Sequence, residues 1–411
     1  MVWNLTIFWA NLIQPQNKSI KITIYVNIGK FKMANILDSY TFNNGVVVKN
    51  RLAVAPMTHW SSDENGHATD DELNFIRPRA KGFGMFIAAA TAVNPQAVGF
   101  KGEPSAMRDD DIEHLQKIAD TIHSSGALAI LQLHHSGKDR QANANNPTEI
   151  VAPSADTIKQ AREMTLPEIQ QTIEDFGQAA RRAMAAGFDG VEIHGANNYL
   201  LQQFLSAHHN HRTDEYGGSL ENRLRFPIAV LESVQAACKD NPKFIIGYRL
   251  TPEEKHEQGL TMSDSLALVE ELARHNLQYI HISLQNFYNK ARRNADTNRS
   301  RMDLFYEKLQ GKNVALIGVG KLNTPQKAID ALNTGWTDFV AIGMGVLANP
   351  DFGERVASNN NQGMRKMPDL SRDAKFNQMP QGMWNQFMTF VPKPVLLLFR
   401  IIGKVKKIFN K

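Results

Sequence analysis

The stretch that decides the fold is Leu166–Ile193, LPEIQQTIEDFGQAARRAMAAGFDGVEI. Ile169, Ile173, Phe176, Ala180 and Met184 recur every three or four residues, so they share one stripe of a helix. Gly187 marks the stop, because glycine adopts the left-handed backbone that ends helices. Asp189–Ile193 then reads as a short apolar β-type run, the pattern of a strand covered on both faces. A helix that feeds a buried strand within a few residues is half of a βαβ unit, and such units build parallel sheets.

Moving outward, the same alternation recurs. Apolar β-type runs occupy Arg51–Ala55, Met85–Ala90, Ala127–Gln132, Phe244–Arg249, Tyr279–Ser283, Val314–Gly318 and Asp338–Ile342. Helical patterns fall at Asn222–Cys238, at Ser263–His275 with Ser263 as its N-cap, and at Pro325–Asn333. Eight such strands over roughly 320 residues predict one α/β domain, a closed (β/α)8 TIM barrel, rather than two open sheets. No GxGxxG follows the first run, so a Rossmann dinucleotide domain is unsupported. The expected barrel spans residues 33–375, with a short N-terminal hairpin before the first strand.

Composition narrows the function classes. The 411-residue chain is 42% hydrophobic and 21% charged, which is globular. Its one cysteine, Cys238, excludes a disulfide framework and a cysteine-held zinc or iron–sulfur site within one chain, and a reducing cytoplasm is the expected compartment. The histidines at 134, 135, 208, 209 and 211 match no standard metal spacing, so no metal is expected; His135 is expected to orient groups beside Gln132. The net charge of +5 is concentrated at the ends. Residues 1–32 carry four Lys and no acid, and residues 393–411 carry five Lys and one Arg and no acid; removing those ten charges leaves about −5 on the body. Nucleic acid is therefore not the expected ligand.

The ends read separately. Residues 1–32 lack a basic n-region and a cleavage site, and their apolar part is too short to span a membrane. They are expected to be a disordered lead or a start placed too early, with Met33 as the true start. Residues 376–411 are expected to form a basic tail. In its 394–411 portion Leu398, Ile401, Ile402, Val405, Ile408 and Phe409 share one helical face, opposite Arg400, Lys404, Lys407 and Lys411. Such a helix suits peripheral contact with an anionic membrane, or packing on the body or a second subunit.

In this barrel chemistry gathers at the carboxyl ends of strands. The fourth strand ends in His194-Gly195-Ala196-Asn197-Asn198-Tyr199: an imidazole, an amide and a phenol. Two of these can donate hydrogen bonds to one substrate oxygen, and the third can deliver a proton. The first strand ends in Pro56-Met57-Thr58-His59-Trp60, the second in Ala88-Ala89-Ala90, the third supplies Gln132 and the fifth Arg249. A hydroxyl, an amide and a fixed cation suit the polar edge of an isoalloxazine ring, and the alanines leave room for a flat ring. Gly320-Lys321 and Gly343-Met344 follow strands seven and eight, where barrels commonly hold a phosphate. Arg249 also reads as an ion-pair partner of Glu192. The loop Asn286–Arg301, with Arg292, Arg293, Arg299 and Arg301, reads as a solvated lid or as a contact for dinucleotide phosphates. Asp214-Glu215-Tyr216-Gly217 is expected to be fixed by Arg212 and Arg223.

Over about residues 35–358 the chain resembles the Old Yellow Enzyme family of FMN-dependent ene reductases. The resemblance rests on APMT at Ala55–Thr58, LQLHHSG at Leu131–Gly137, GFDGVEIHGANNYLLQQFLS at Gly187–Ser206 and NHRTDEYGGSLENRLRF at Asn210–Phe226. It implies that Pro56, Met57, Thr58, Ala90, Gln132 and Arg249 hold the flavin ring, and that Gly320, Lys321, Gly343 and Met344 hold its phosphate. It also implies that His194 and Asn197 bind the substrate carbonyl, that Tyr199 donates the proton, and that Trp60 lines the substrate pocket. NADH or NADPH would be the reductant, and a small α,β-unsaturated carbonyl or nitro compound the substrate. Two positions depart from the family. Met344 stands where an Arg usually grips the phosphate, which implies weaker FMN retention, and Ala88 and Ala89 stand where many relatives carry Glu. Two other readings remain open at this point: an FMN NAD(P)H oxidase or dehydrogenase using oxygen or quinones, and a flavin-free, membrane-associated binding module.

Overall fold

The computed structural model describes residues 35–392 apart from 142, 143 and 145, so the expectations for residues 1–32 and 394–411 lie outside the described residues. Eight parallel strands close into a barrel in chain order. They are β1 Leu52–Val54, β2 Met85–Ala92, β3 Leu128–His134, β4 Gly190–Gly195, β5 Ile245–Leu250, β6 Tyr279–Ile282, β7 Ala315–Val319 and β8 Phe339–Ile342. All eight lie on the runs read from the sequence. Nearly every strand residue is buried, because one face of each strand fills the lumen and the other is covered by helices.

The lumen is filled by Ala53, Met85, Ile87, Ile130, Ile245, Tyr279, Ile317, Phe339 and Ala341. An antiparallel hairpin, Tyr40–Thr41 with Val47–Val48, precedes β1 and adds Phe42 and Val48 to that cluster. Phe42 stacks on Phe339 with ring centroids 5.6 Å apart. The lumen is thus a packed core, and open space is left to the loops at the strand ends.

The helix Leu166–Ala185 begins at a capping box, Thr165 with Glu168, and buries Ile169, Ile173, Phe176 and Ala180. The helix Leu220–Ala237 is capped by Ser219 and Pro325–Asn333 by Thr324. One expectation is corrected: the helix Met262–Leu272 is capped by Thr261, not Ser263. Thr261 completes a capping box with Asp264, which satisfies donors at both ends of the turn; Ser263 lies inside the helix.

The folded body also continues past residue 375. The helix Gln381–Thr389 buries Met383 and Trp384 against the main core. Its Gly382 abuts the Trp60 backbone: a Cβ there would come within 2.0 Å of the Trp60 carbonyl oxygen. This segment therefore backs the β1 end rather than forming a separate tail. Among the described residues no helix is long and apolar enough to cross a membrane.

Candidate active site

The loop after β4 carries the central groups. Asn197 and Asn198 both adopt left-handed backbone, φ 57° and 68°, a region that asparagine tolerates better than most residues. This pair turns the chain sharply from β4 into the short helix Leu200–Leu205. Asn198 is locked in place: its Oδ1 meets His209 Nε2 at 2.6 Å, its carbonyl accepts from Gln203 Nε2 at 2.6 Å, and its Nδ2 bonds Asp139. Asn197 is exposed, with its N–H donating to Thr251 Oγ1 at 2.8 Å and its Oδ1 accepting from Ser283 Oγ at 2.9 Å. The carbonyl end of the amide is occupied, so its NH2 is the free donor.

His194 is orientated in the same way. Its Nδ1 accepts the Ala196 N–H at 3.2 Å, which puts the ring hydrogen on Nε2. Burial, then the charges of His134 and Arg249, pull its pKa well below the usual histidine value, so the ring is neutral. The Tyr199 ring stands edge-on to His194, with centroids 5.2 Å apart. Burial, with Glu103 and Asp139, pushes the Tyr199 phenol up to about 12, so it keeps its proton. Two hydrogen-bond donors and one proton donor therefore meet at one strand end.

The polar edge is built from β1, β3 and β5. Gln132 Nε2 donates to Glu192 Oε1 at 2.7 Å, and Glu192 Oε2 meets His281 Nδ1 at 2.9 Å. Burial alone would push the Glu192 carboxyl up, but His281, Arg249 and Gln132 outweigh it and hold it below the usual range. Gln132 Oε1 and the half-buried Thr58 hydroxyl have no partner among the described residues. Arg249 donates through Nη2 to Ser283 Oγ at 3.3 Å, while its buried Nε has no partner. The Arg249–Glu192 ion pair does not form among the described residues; the carboxylate is taken by Gln132 and His281. Ala90 lies on β2 where its register with β3 shifts, and Pro56 and Met57 are half-buried beside β1.

The last two strands, β7 and β8, are neighbours, so Gly320-Lys321 and Gly343-Met344 lie side by side. Gly320 has φ 125°, and a Cβ there would come within 2.7 Å of the Leu284 carbonyl. A Cβ on Gly343 would meet only the Ala55 methyl at 3.8 Å, so the backbone there is open. Lys321 is exposed and has no partner among the described residues, and Met344 is 46% exposed with nothing charged to offer.

Trp60 has φ 51° and sits 5.9 Å from Phe100, ring to ring. Phe100 belongs to the loop after β2, whose Glu103 was not singled out in the sequence. Glu103 Oε1 meets His134 Nδ1 at 2.6 Å with both side chains fully buried, and the His134 ring stands edge-on to Tyr199 at 4.4 Å.

Other expectations change. His135 Nδ1 accepts the Gly137 N–H at 3.1 Å, so it shapes the loop after β3 rather than orienting groups beside Gln132. Arg212 does fix Asp214, at 2.6 Å, but Arg223 pairs with Asp264 instead. Ser283, Thr251 and His281 join the site without having been predicted in it, and Glu192, expected there only as a partner of Arg249, binds Gln132 and His281 instead.

These groups suit a flavin. The loop after β1 and strands β3 and β5 carry an unpartnered hydroxyl, a free amide oxygen and a buried guanidinium nitrogen, β2 carries small alanines, and the backbone at Gly343 is open. The model for the NADH:flavin oxidoreductase / NADH oxidase family matches residues 39–363. The chain belongs to the Old Yellow Enzyme family. It is 40% identical over 358 residues to the probable NADH-dependent flavin oxidoreductase YqiG of Bacillus subtilis (strain 168), covering 86% of this chain and 95% of that one. An NADH:acrylate oxidoreductase of Vibrio harveyi is 35% identical over 86% of this chain, but the chain spans only 36% of that protein. The old yellow enzyme homologue of Zymomonas mobilis superposes with a TM-score of 0.71 at 25% identity, over 86% of this chain and 99% of its own. Morphinone reductase does so with 0.68 at 28% identity, over 80% and 91%. The protein is an FMN-dependent NAD(P)H oxidoreductase.

Proposed function

We propose that this family member reduces the activated C=C bond of small α,β-unsaturated carbonyl or nitro compounds. FMN held at this site would supply the chemistry of hydride transfer, drawn from NAD(P)H and directed to the carbon β to the activating group. Thr58, Gln132 and Arg249 would hold the polar edge of its ring, with Pro56, Met57 and Ala90 beside it. Gly320, Lys321, Gly343 and Met344 would hold the phosphate, as this chain has no arginine at position 344.

The observation that carries the reading is the orientation of two donors. His194 exposes Nε2–H because Nδ1 is occupied by Ala196, and Asn197 exposes its NH2 because Oδ1 is occupied by Ser283. Both can donate to one substrate oxygen and draw electron density from a conjugated double bond. Tyr199, kept protonated by burial, gives its proton to the α carbon. Trp60, whose backbone Gly382 abuts, would line the substrate pocket.

Steady-state rates with 2-cyclohexenone and with oxygen test this choice of acceptor. Turnover with the enone well above the oxygen rate supports it. Turnover with oxygen or quinones alone identifies an oxidase instead.

A further inference from the structure

The four arginines of the loop between β6 and the helix Arg301–Leu309 are not equivalent. Arg293 donates to the carbonyls of Glu257, His256 and Gly259 at 2.6–2.8 Å. Arg299 is clamped by Asp303 and Glu307 at 2.7 and 2.5 Å. Arg301 Nε donates to Glu253 Oε2 at 2.5 Å. The Arg292 side chain is exposed and has no hydrogen-bond or ion-pair partner among the described residues. Its base is nevertheless fixed, since its N–H donates to both oxygens of the buried Glu253 at 3.1 Å.

Lys255, in the loop after β5, lines the same cleft as Arg292 and is a second cation without a partner among the described residues. The two acids before it turn inward: Glu253 takes the donors just described, and Glu254 accepts from Gln202, Ser206 and the Leu260 N–H at 2.6, 2.6 and 3.0 Å. The Lys255 side chain is exposed, with no partner among the described residues.

Arg292 and Lys255 line one cleft of about 380 Å³. Asn197, Thr251 and Ser283 belong to the same cleft, which therefore joins the reaction pocket to the two cations. His256 also lines it, stacked on His208 with centroids 4.0 Å apart and planes 7° from parallel, a flat aromatic ledge.

We propose that this cleft receives the diphosphate of the reduced nicotinamide dinucleotide, with Arg292 and Lys255 as its partners. The inference rests on the proposed function, because the nicotinamide ring must then lie at the His194 and Asn197 end. A diphosphate brings two negative charges to two cations that have no ion-pair partner among the described residues. Charge-assisted bonds from Arg suit phosphate oxygens, and Lys acts as a point charge beside it. Of the two acids that line the cleft, Glu253 is paired with Arg301, and Glu254 turns its carboxylate inward to Gln202, Ser206 and the Leu260 N–H.

The test compares two hydride donors on the flavin-loaded protein: NADH, and the neutral, phosphate-free 1-benzyl-1,4-dihydronicotinamide. Flavin reduction is followed by stopped-flow absorbance for Arg292→Ala, Lys255→Ala and the double variant. The NADH concentration for half-maximal rate should rise about five- to tenfold per substitution. The limiting rate and the response to the neutral donor should not change, and Arg292→Lys should recover part of the loss. An unchanged NADH response, or an equal loss with both donors, overturns the proposal. A wild-type flavin that neither donor reduces overturns the proposed function and this inference with it.

Discussion

Gln132 Nε2 donates to Glu192 Oε1 at 2.7 Å, and this bond decides which end of the Gln132 amide faces the reaction pocket. A carboxylate only accepts, so the amide NH2 must face Glu192 and the carbonyl oxygen is left for the cofactor edge. That oxygen can only accept, and the N–H on the pyrimidine ring of a flavin is a suitable donor to it. Glu192 is held ionised mainly by His281, so a buried negative charge lies one bond from that edge.

Replacing Glu192 by Gln removes this charge with little change in volume. Negative charge on the reduced ring should then be less disfavoured, and the midpoint potential should rise. The expected rise is on the order of 30 mV, equivalent to about tenfold in a two-electron equilibrium. A spectroscopic titration against a reference dye measures it, and a fall in potential would refute the placement of the charge.

Tyr199→Phe should separate the two half-reactions. Loss of a positioned proton donor costs roughly 10²–10⁴ in rate. Reduction of the enone should fall by that order, while reduction of the flavin by NADH should stay close to wild type. Because the phenol is pushed up to about 12, the enone step should show no loss from Tyr199 ionisation up to about pH 10. A basic limb near pH 8 would show that this phenol is not so protected.

Acid should unfold the protein partly through its buried histidines. Burial pulls His135 down to about 3 and His209 to about 4, so both are neutral in the fold at neutral pH. The unfolded chain takes up these protons below about pH 6.5, whereas the folded chain does not until its own lower values. Stability is therefore full above about 6.5 and falls as pH drops, by about 1.4 kcal/mol per pH unit for each such histidine. Thermal melts of His135→Gln across pH 4–7 should show a shallower decline than wild type. An identical decline would exclude His135 as a contributor.

At the phosphate end, Met344→Arg should tighten FMN binding. A charged hydrogen bond contributes about 1.5–3 kcal/mol, or roughly ten- to a hundredfold in affinity. Lys321→Ala should loosen it, since Lys321 is the free cation beside the glycine backbone. Apoprotein titration by fluorescence reads both, and equal affinities across the three proteins would remove this end from the account.

The barrel was legible because burial on both faces of each strand leaves continuous apolar runs, and all eight runs became strands. His194, Asn197 and Tyr199 were legible because one short loop carries all three. Ser283 and Thr251 were not: each is a lone hydroxyl at a strand end, and only closure of the barrel brings them to Asn197. The alternative pairing of Arg249 with Glu192 fails for a related reason. His281 sits on β6, two strands away, and meets Glu192 past the intervening β5, a contact no sequence period encodes. Glu103 likewise meets His134 only through the fold of the loop after β2.

The central claim is that His194 and Asn197 present two donors above a bound flavin. The most direct measurement is an absorbance titration of the purified protein with para-hydroxybenzaldehyde. The account predicts a yellow protein that gains a broad long-wavelength band as the phenolate stacks on the flavin, and a His194→Ala variant that stays yellow but loses the band. A colourless protein that takes up no FMN, or a band that persists undiminished in His194→Ala, would contradict it.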